Sequence, residues 1–182
     1  MHNGIKKIAL IGPESSGKTT LCMELAAHFQ TSWVPEFARN YISKLNRKYT
    51  LDDILHCAHE QIKSENELLR SANRFLFCDT DLIVAKVWCE DVFKTTPGWI
   101  EEMIETHRYD LFVLTLPDIP FQQDNVRENP HRREFFFDWY KRELEKRNFG
   151  YEIISGTAEV RFSNALMAIN KVFPEFLKNI PQ

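Results

Sequence analysis

Residues 12–19 have the sequence Gly12-Pro13-Glu14-Ser15-Ser16-Gly17-Lys18-Thr19, which fits the spacing GxxxxGK[ST]. The apolar residues 7–11 before it predict a buried strand, and residues 20–29 after it predict a helix with one apolar face. In that order, the backbone N–H groups of the loop and the N-terminus of the helix surround a phosphate group. Lys18 is expected to reach the β- and γ-phosphates of a nucleotide, and Thr19 to bind Mg²⁺. We therefore assign residues 12–20, Thr20 included, to nucleotide binding; the alternative is a chance Gly/Ser-rich turn.

Strand-like and helical segments alternate along the rest of the chain. Strands are predicted at residues 33–35, 75–78, 111–115 and 151–154. Helices are predicted from about Leu51 to Ser71, at 81–93, 99–107 and 132–147, and from about Phe162 to Leu177. Such alternation predicts a parallel sheet. The predicted fold class is α/β: a P-loop NTPase fold with a five-stranded parallel sheet, helices on both faces and an arginine-containing lid. No linker or repeat interrupts the pattern, so residues 1–182 are predicted to form a single domain.

Composition narrows the classes of function. The 182 residues are 43% hydrophobic and 27% charged, with a formal net charge of −3, so no basic face for nucleic acid is expected. No apolar segment of membrane-spanning length and no signal peptide is present, and we expect a cytoplasmic protein that binds neither nucleic acid nor membrane. The four cysteines lack CxxC spacing and are expected to be reduced and buried. The oligomeric state is left open.

A second chemical signal follows the predicted strand at 75–78. Asp79-Thr80-Asp81 places carboxylates at the carboxyl end of a buried strand, which is where ligands bind in open α/β sheets. Asp79 is expected to hold Mg²⁺ or to accept the proton of an attacking hydroxyl group. Asp81 is assigned to substrate binding. The alternative for this segment is that its polar residues only cap the next helix.

Two further polar segments are candidates for the site. Residues 124–133 contain Arg127, Arg132 and Arg133 before a helix, and guanidinium groups there suit a lid over the phosphates. The alternative is a solvated loop entering a charged helix, which we favour for Arg142 and Arg147. Glu36 and Arg39, after the second strand, are predicted to line the pocket of the phosphate acceptor. They could instead form a surface pair three residues apart.

Four segments together carry a family resemblance. They are GPESSGKTTL (12–21), VPEFARNYI (34–42), FCDTDL (77–82) and DNVRENPHRR (124–133). They resemble the ribosylnicotinamide kinase domain of NadR-type proteins, a group of P-loop kinases distantly related to thymidylate and nicotinamide riboside kinases. The resemblance covers nearly the whole chain, and the second and third segments are its more specific parts. Because the first strand begins near residue 5, we expect neither the adenylyltransferase domain nor the DNA-binding domain of the longer members.

The resemblance implies transfer of phosphate from ATP, with Mg²⁺, to nicotinamide riboside, which yields nicotinamide mononucleotide for NAD salvage. It implies that Asp124 contacts the substrate and that aromatic residues hold the nicotinamide ring, for which this chain offers Trp88; the alternative for Trp88 is a core position. It further implies that Gly156 lies beside the adenine. Two other functions stay open: another nucleoside or nucleotide kinase of thymidylate-kinase type, and a slow ATPase module that binds a protein partner.

Overall fold

The computed structural model describes residues 4–123 and 129–179. Five strands alternate with seven α-helices in these residues. The strands are β1 (Lys6–Ile11), β2 (Trp33–Val34), β3 (Phe75–Asp79), β4 (Leu111–Thr115) and β5 (Tyr151–Ile154). The helices are α1 (Lys18–Phe29), α2 (Phe37–Ile42), α3 (Leu51–Leu68), α4 (Leu82–Phe93), α5 (Gly98–Thr106), α6 (Arg133–Lys146) and α7 (Ala158–Val172), and a 3₁₀ helix (Pro174–Asn179) follows. The predicted alternation is confirmed.

All strand pairs in the sheet are parallel, and their order is β2-β3-β1-β4-β5. β1 therefore lies at the centre, with β3 on one side and β4 on the other. The chain reverses its direction of winding at β1, and in open α/β sheets ligands bind at such a point, outside the carboxyl ends of the strands. The loop of residues 12–17 and the segment after Asp79 both leave the sheet at this edge.

Successive residues of the central strands pack on opposite faces of the sheet. Ile8 and Leu10 face a core layer with α1 and α7, whereas Ala9 and Ile11 face a layer with α3, α4, α5 and α6. Side chains alternate along a strand, so a strand covered by helices on both faces must be apolar throughout. This explains why the strand segments are almost continuously hydrophobic in the sequence.

Two helices differ from the prediction. α2 was not predicted; its six residues are too few to show helical periodicity, and its ring contact between Phe37 and Tyr41 joins one turn to the next. The last α-helix was predicted from Phe162 to about Leu177 but spans Ala158–Val172. Pro174 explains its end, because proline lacks the N–H group of a helical hydrogen bond and clashes with the preceding turn.

Arg147 is also placed differently. It was expected on a solvated face, but its side chain is 5% exposed and forms ion pairs with Glu101, Glu105 and Glu143. Glu143 also pairs with the buried Lys86 of α4. This network joins α4, α5 and α6 on one face of the sheet. The spacing of charges along the sequence does not show that these helices meet, so it could not predict the burial of Arg147.

The described ranges contain no helix that is both long and apolar enough to cross a membrane. The four cysteines are free thiols with buried side chains, as predicted.

α3 begins with a complete capping box. The backbone N–H of Asp53 donates to Thr50 Oγ1 (3.4 Å), and the backbone N–H of Thr50 donates to Asp53 Oδ2 (2.8 Å). Asp53 also accepts from both terminal nitrogens of Arg47 and from the Tyr41 hydroxyl. These hydrogen bonds, that of Arg47 first, hold the pKa of Asp53 well below its usual range.

We predict that Asp53→Asn destabilises the fold at neutral pH. A carboxylate with a depressed pKa stabilises the folded state above the unfolded pKa of about 3.9 and loses that effect as the pH falls below it. The gap in unfolding free energy between wild type and variant should therefore narrow below about pH 4 in urea titrations. Asp52→Asn, on the exposed face of the same turn, is the control. A gap that stays constant with pH would contradict the charge argument.

Candidate functional site

The loop between β1 and α1 packs tightly against the end of β4. Gly12 has a φ of +148°, and a Cβ atom there would lie 2.3 Å from Thr115 Oγ1 and 2.8 Å from the Thr115 carbonyl oxygen. Gly17, just before α1, has a φ of +79°. Only glycine combines this close approach with such backbone angles at low cost. Gly12 is therefore required by the close approach of Thr115 as well as by its backbone angle, whereas Gly17 is required by its backbone angle.

Hydroxyl groups fix the loop from beneath. Ser16 is fully buried, and its Oγ donates to the Pro13 carbonyl oxygen (2.8 Å) and shares a hydrogen bond with Thr115 Oγ1 (2.6 Å). Thr115 Oγ1 has a single hydrogen, which it donates either to Ser16 Oγ or to the Ile11 carbonyl oxygen 3.1 Å away. The Ser16 side chain thus supports the loop, and its contribution to a bound phosphate would come from its backbone.

Lys18 reaches across the opening of the loop. Its ammonium group donates to the carbonyl oxygens of Gly12 (2.9 Å) and Pro13 (3.0 Å). Its charge is therefore held at the opening where phosphate oxygens would bind. The two carbonyl oxygens accept the hydrogen bonds that Lys18 would otherwise donate to a phosphate. Ser15, Thr19 and Thr20 line the same opening.

Thr19 and Asp79 form a polar link between the start of α1 and the end of β3. Thr19 Oγ1 donates to Asp79 Oδ2 (2.5 Å), and Asp79 is only 1% exposed. Asp79 Oδ1 is buried without a hydrogen-bond partner in the described part of the chain. Burial raises the pKa of Asp79, while the charge of Lys18 and the hydrogen bond from Thr19 oppose that rise.

These two side chains fit a divalent cation. A hydroxyl oxygen and a carboxylate oxygen are hard ligands of the kind Mg²⁺ prefers, and the unpartnered Oδ1 is a buried acceptor that lacks a positive partner. Residues 4–123 and 129–179 hold no cluster of three or more metal-binding side chains.

A cavity of about 610 Å³ opens from the phosphate loop. Glu36 and Arg39 line it, on the segment that follows β2. Glu36 is half-buried, and its pKa is raised, first by burial and then by the negative charge of Asp79. Both residues therefore line the cavity that opens from the phosphate loop, and their contact with a phosphate acceptor stays a prediction.

Another part of the cavity wall carries aromatic side chains and the carboxylate of Asp91. Trp88, predicted as a ring contact, lines it, and its ring lies edge-on to that of Tyr49 at 4.9 Å. Phe136 and Tyr140 of α6 complete this wall. Trp88 also packs against the core layer formed with α3 to α6, so the core position and the cavity position coexist.

The predicted lid arginines have different surroundings. Arg132 lines the cavity and bonds through both terminal nitrogens to Asp91 of α4 (2.8 and 2.6 Å). Arg133 instead donates to the carbonyl oxygens of Glu14, Ser15 and Ile119. In this structure Arg133 therefore contacts the backbone of the phosphate loop, and its contact with phosphate stays a prediction. Arg127 and Asp124 lie outside the described residues.

Two other predicted residues lie away from the cavity wall. Asp81 accepts hydrogen bonds from the N–H groups of Ile83 and Val84, so it caps α4, and burial raises its pKa to about 7. This is the alternative left open for the segment, and we reassign Asp81 from substrate binding to capping. Gly156 donates its N–H to Asp118 (2.6 Å) and is not among the cavity-lining residues; its contact with adenine stays a prediction.

Glu14 and Pro13 contribute to the loop in separate ways. Glu14 lines the cavity, and its Oε2 accepts from the N–H of Asn129 (3.0 Å). Pro13 supplies only its carbonyl oxygen, which accepts from Ser16 and Lys18. The carboxyl group of Glu14 thereby connects the phosphate loop to the segment before α6.

Three residues of the site were missed from the sequence. Gln61 of α3 accepts from the Phe37 N–H (2.9 Å) and donates to the Asp79 carbonyl oxygen (3.4 Å), which joins the two carboxylate-bearing segments. Thr80 lines the cavity with a φ of +81°, unusual for a β-branched residue, and its buried hydroxyl has no partner in the described part. Arg161 of α7 contacts the phosphate loop.

One of these three could have been found. Gln61 lies on the buried face of α3 with Cys57 and Ala58, and a polar residue at that spacing on an apolar face is a recognisable signal. Thr80 and Arg161 carry no such signal, since their roles depend on a backbone angle and on a contact across 145 residues.

Comparison with known proteins agrees with this geometry. The Trifunctional NAD biosynthesis/regulator protein NadR of Escherichia coli K12 is 27% identical over 140 residues, which are 72% of this chain and 34% of that protein. The chain spans about a third of the length of the curated relatives it matches.

Solved structures show the same fold. NadR in complex with NAD and AMP-PNP superposes with a TM-score of 0.79 at 23% identity, covering 95% of this chain and 51% of that one. NadR in complex with NR gives 0.77 at 24% identity, covering 94% and 52%. Deoxyadenosine kinase from M. mycoides gives 0.61 at 12% identity, covering 96% and 100%.

The family match extends from the first strand to the helix that carries Arg161. Residues 7–161 match the AAA domain family, and the sheet order, the phosphate loop and the superpositions are those of P-loop kinases. The chain therefore belongs to the AAA domain family, with the P-loop kinase fold found in NadR.

Proposed function

We propose that this chain is an ATP-dependent small-molecule kinase that phosphorylates nicotinamide riboside to nicotinamide mononucleotide. One observation carries the proposal: the phosphate loop and the side chains of Glu36, Arg39 and Trp88 line the same cavity. A kinase must hold its donor and its acceptor in one enclosed space so that the reacting atoms meet in line. We extend this proposal to residues 1–182 as one kinase domain.

The donor end suits Mg²⁺-ATP. Thr19 and Asp79 would hold Mg²⁺, which would neutralise charge on the phosphate oxygens. Lys18 would leave the carbonyl oxygens of Gly12 and Pro13 for the β- and γ-phosphates. Arg132, on the cavity wall, could add a charge near the γ-phosphate if it left Asp91. The structure of NadR in complex with NAD and AMP-PNP, an ATP analogue, supports ATP as the donor.

Two carboxylates, Asp79 and Glu36, lie close to the reacting groups, and their surroundings assign them different tasks. Asp79 lies behind Thr19 and is almost fully buried, whereas Glu36 is half-buried and lines the cavity. We assign the proton to Glu36: as the acceptor oxygen bonds to the γ-phosphorus and the bond to the β,γ-bridging oxygen breaks, its proton passes to the Glu36 carboxylate and ADP leaves. Gln61 holds the two carboxylate-bearing segments together during this step.

The cavity chemistry favours a cationic acceptor. The ring of nicotinamide riboside is flat and positively charged, and it would lie against Trp88 and Tyr49 with Asp91 on the same wall. Aromatic faces attract cations, and a neutral thymine ring would lack this attraction. The complex of NadR with NR supports this acceptor. The thymidylate-kinase-like alternative is kept because the fold is shared with nucleoside kinases.

We predict that Lys18→Ala lowers kcat by about 10²–10³-fold, the usual effect of losing one preorganised contact to developing charge. The melting temperature should change little, because Lys18 bonds only to loop carbonyl oxygens. The control is Lys171→Ala, whose side chain is 74% exposed on α7. A turnover within a few-fold of wild type would remove Lys18 from the phosphate site.

We predict that nicotinamide riboside stimulates ADP release well above the rate without acceptor, with nicotinamide mononucleotide as the product seen by mass spectrometry. A panel with thymidine, thymidylate and deoxyadenosine gives the comparison. Phosphorylation of thymidine or thymidylate alone would favour the thymidylate-kinase-like function. ATP hydrolysis that no acceptor changes would favour the ATPase module.

We predict that Glu36→Gln and Asp79→Asn fail in different ways. Glu36 must be ionised to accept a proton and its pKa is raised, so wild-type kcat/KM should fall as the pH drops through a value above the ordinary glutamate pKa of about 4.3. Glu36→Gln should abolish that acid limb and lower kcat by about 10²–10⁴-fold at unchanged Mg²⁺ requirement.

Asp79→Asn should instead raise the Mg²⁺ concentration needed for half-maximal rate, while ATP binding and fold persist. Titrating Mg²⁺ and pH on both variants measures the difference. The opposite result, an acid limb lost only in Asp79→Asn, would move the proton to Asp79.

A further inference from the structure

Two arginines hold the outer side of the phosphate loop. Arg133 at the start of α6 donates from Nε to the Glu14 carbonyl oxygen (3.1 Å) and from Nη2 to that of Ser15 (2.9 Å). Arg161 of α7 donates from Nη1 to the Ser16 carbonyl oxygen (2.9 Å). Three successive carbonyl groups of the loop therefore accept from two guanidinium groups that arrive from different helices.

The orientation of a carbonyl group fixes the N–H group of the next residue. The peptide unit is planar, and in its trans form the C=O of one residue and the N–H of the next point in opposite directions. The carbonyl groups of Glu14, Ser15 and Ser16 thus determine where the N–H groups of the following residues point. If the oxygens are held outward, those N–H groups are held toward the inside of the loop, where a phosphate group binds.

Both arginines are themselves well fixed. Arg161 is 4% exposed; it also donates to the carbonyl oxygens of Gly156 (2.8 Å) and Leu116 (3.2 Å) and pairs with Asp118. Arg133 donates from Nη1 to the Ile119 carbonyl oxygen (2.9 Å). Each guanidinium group therefore ties the phosphate loop to the segment after β4, and Arg161 also ties it to the segment after β5.

We infer that Arg133 and Arg161 form a clamp that preorganises the phosphate loop, and that they are positioning residues for the β-phosphate of the nucleotide. This inference rests on the proposed ATP site. It differs from the expected lid role of Arg133, in which the guanidinium group contacts the γ-phosphate directly. A clamp acts on the loop before any nucleotide arrives, so it should affect every ligand whose β-phosphate enters the loop.

The test is a series of binding measurements by calorimetry with ATP, ADP and adenosine on wild type, Arg133→Met and Arg133→Lys. We expect Arg133→Met to weaken binding of ATP and ADP by about 10–100-fold, by analogy with the loss of metal affinity when groups that orient metal ligands are removed. Adenosine affinity and the melting temperature without ligand should stay close to wild type. Arg133→Lys should recover only part of the loss, because an ammonium group cannot span two carbonyl groups as the planar fork does.

Arg161→Lys keeps a positive charge beside Asp118. It should also lose more affinity for ATP and ADP than for adenosine. Arg142→Met, exposed on the same helix as Arg133, is the control and should bind all three ligands normally. The KM for nicotinamide riboside at saturating ATP should change by less than about threefold in Arg133→Met.

Three results would overturn the clamp. ATP weakened with ADP unchanged would mean that Arg133 contacts the γ-phosphate; equal losses for adenosine and ATP with a lower melting temperature would mean a general structural role; and unchanged ATP and ADP affinity would mean no role. These outcomes are separate from the fate of the proposed function. Wild type that binds no ATP would defeat both proposals, whereas wild type that binds ATP without phosphorylating any acceptor would leave the clamp standing.

Discussion

The parallel pairing of β1 with β3 on one side and β4 on the other is the constraint on which the site depends. It brings three strand ends to one edge: Ile11 before the phosphate loop, Asp79, and Thr115. The approach of Thr115 to Gly12 leaves no space for a side chain, and the hydrogen bond from Thr19 to Asp79 closes the other side. If either pairing shifted by one residue, each strand would turn its alternating side chains to the wrong face.

The site is electrostatically incomplete without its ligands. Asp79 and Glu36 both have raised pKa values, chiefly because burial disfavours their charge, and Asp79 Oδ1 lacks a partner in the part of the chain that the structure describes. The positive charge of Lys18 lowers both pKa values, and its ammonium group donates hydrogen bonds to carbonyl oxygens of the loop. Buried charge without compensation is costly, so a divalent cation and phosphate groups would satisfy acceptors and donors that the protein alone leaves poorly matched.

The helical layers that carry the cavity wall are held by charge as well as by apolar packing. Lys86, one turn before Glu90 on α4, is buried and pairs with Glu143 of α6, which also pairs with Arg147. Closer to the cavity, Arg132 joins the start of α6 to Asp91 of α4. Both ends of the α4–α6 contact are therefore fixed by ion pairs, and Trp88 lies on α4 between them. Since removing one partner of the buried Lys86–Glu143 pair would leave an uncompensated charge, that pair resists sliding of the two helices.

The sequence by itself determined the elements whose signals are local: the five strands, the phosphate loop and Asp79 at a strand end. These depend on the spacing of apolar residues and on two glycines at fixed positions. Tertiary structure alone decided the strand order, the capping role of Asp81, the contact of Arg133 with the loop backbone, and the roles of Thr80 and Arg161. Each of these requires knowing which distant segments meet. A guanidinium group can bond to a phosphate, a carboxylate or a carbonyl oxygen, and only the folded geometry selects which acceptor lies within reach.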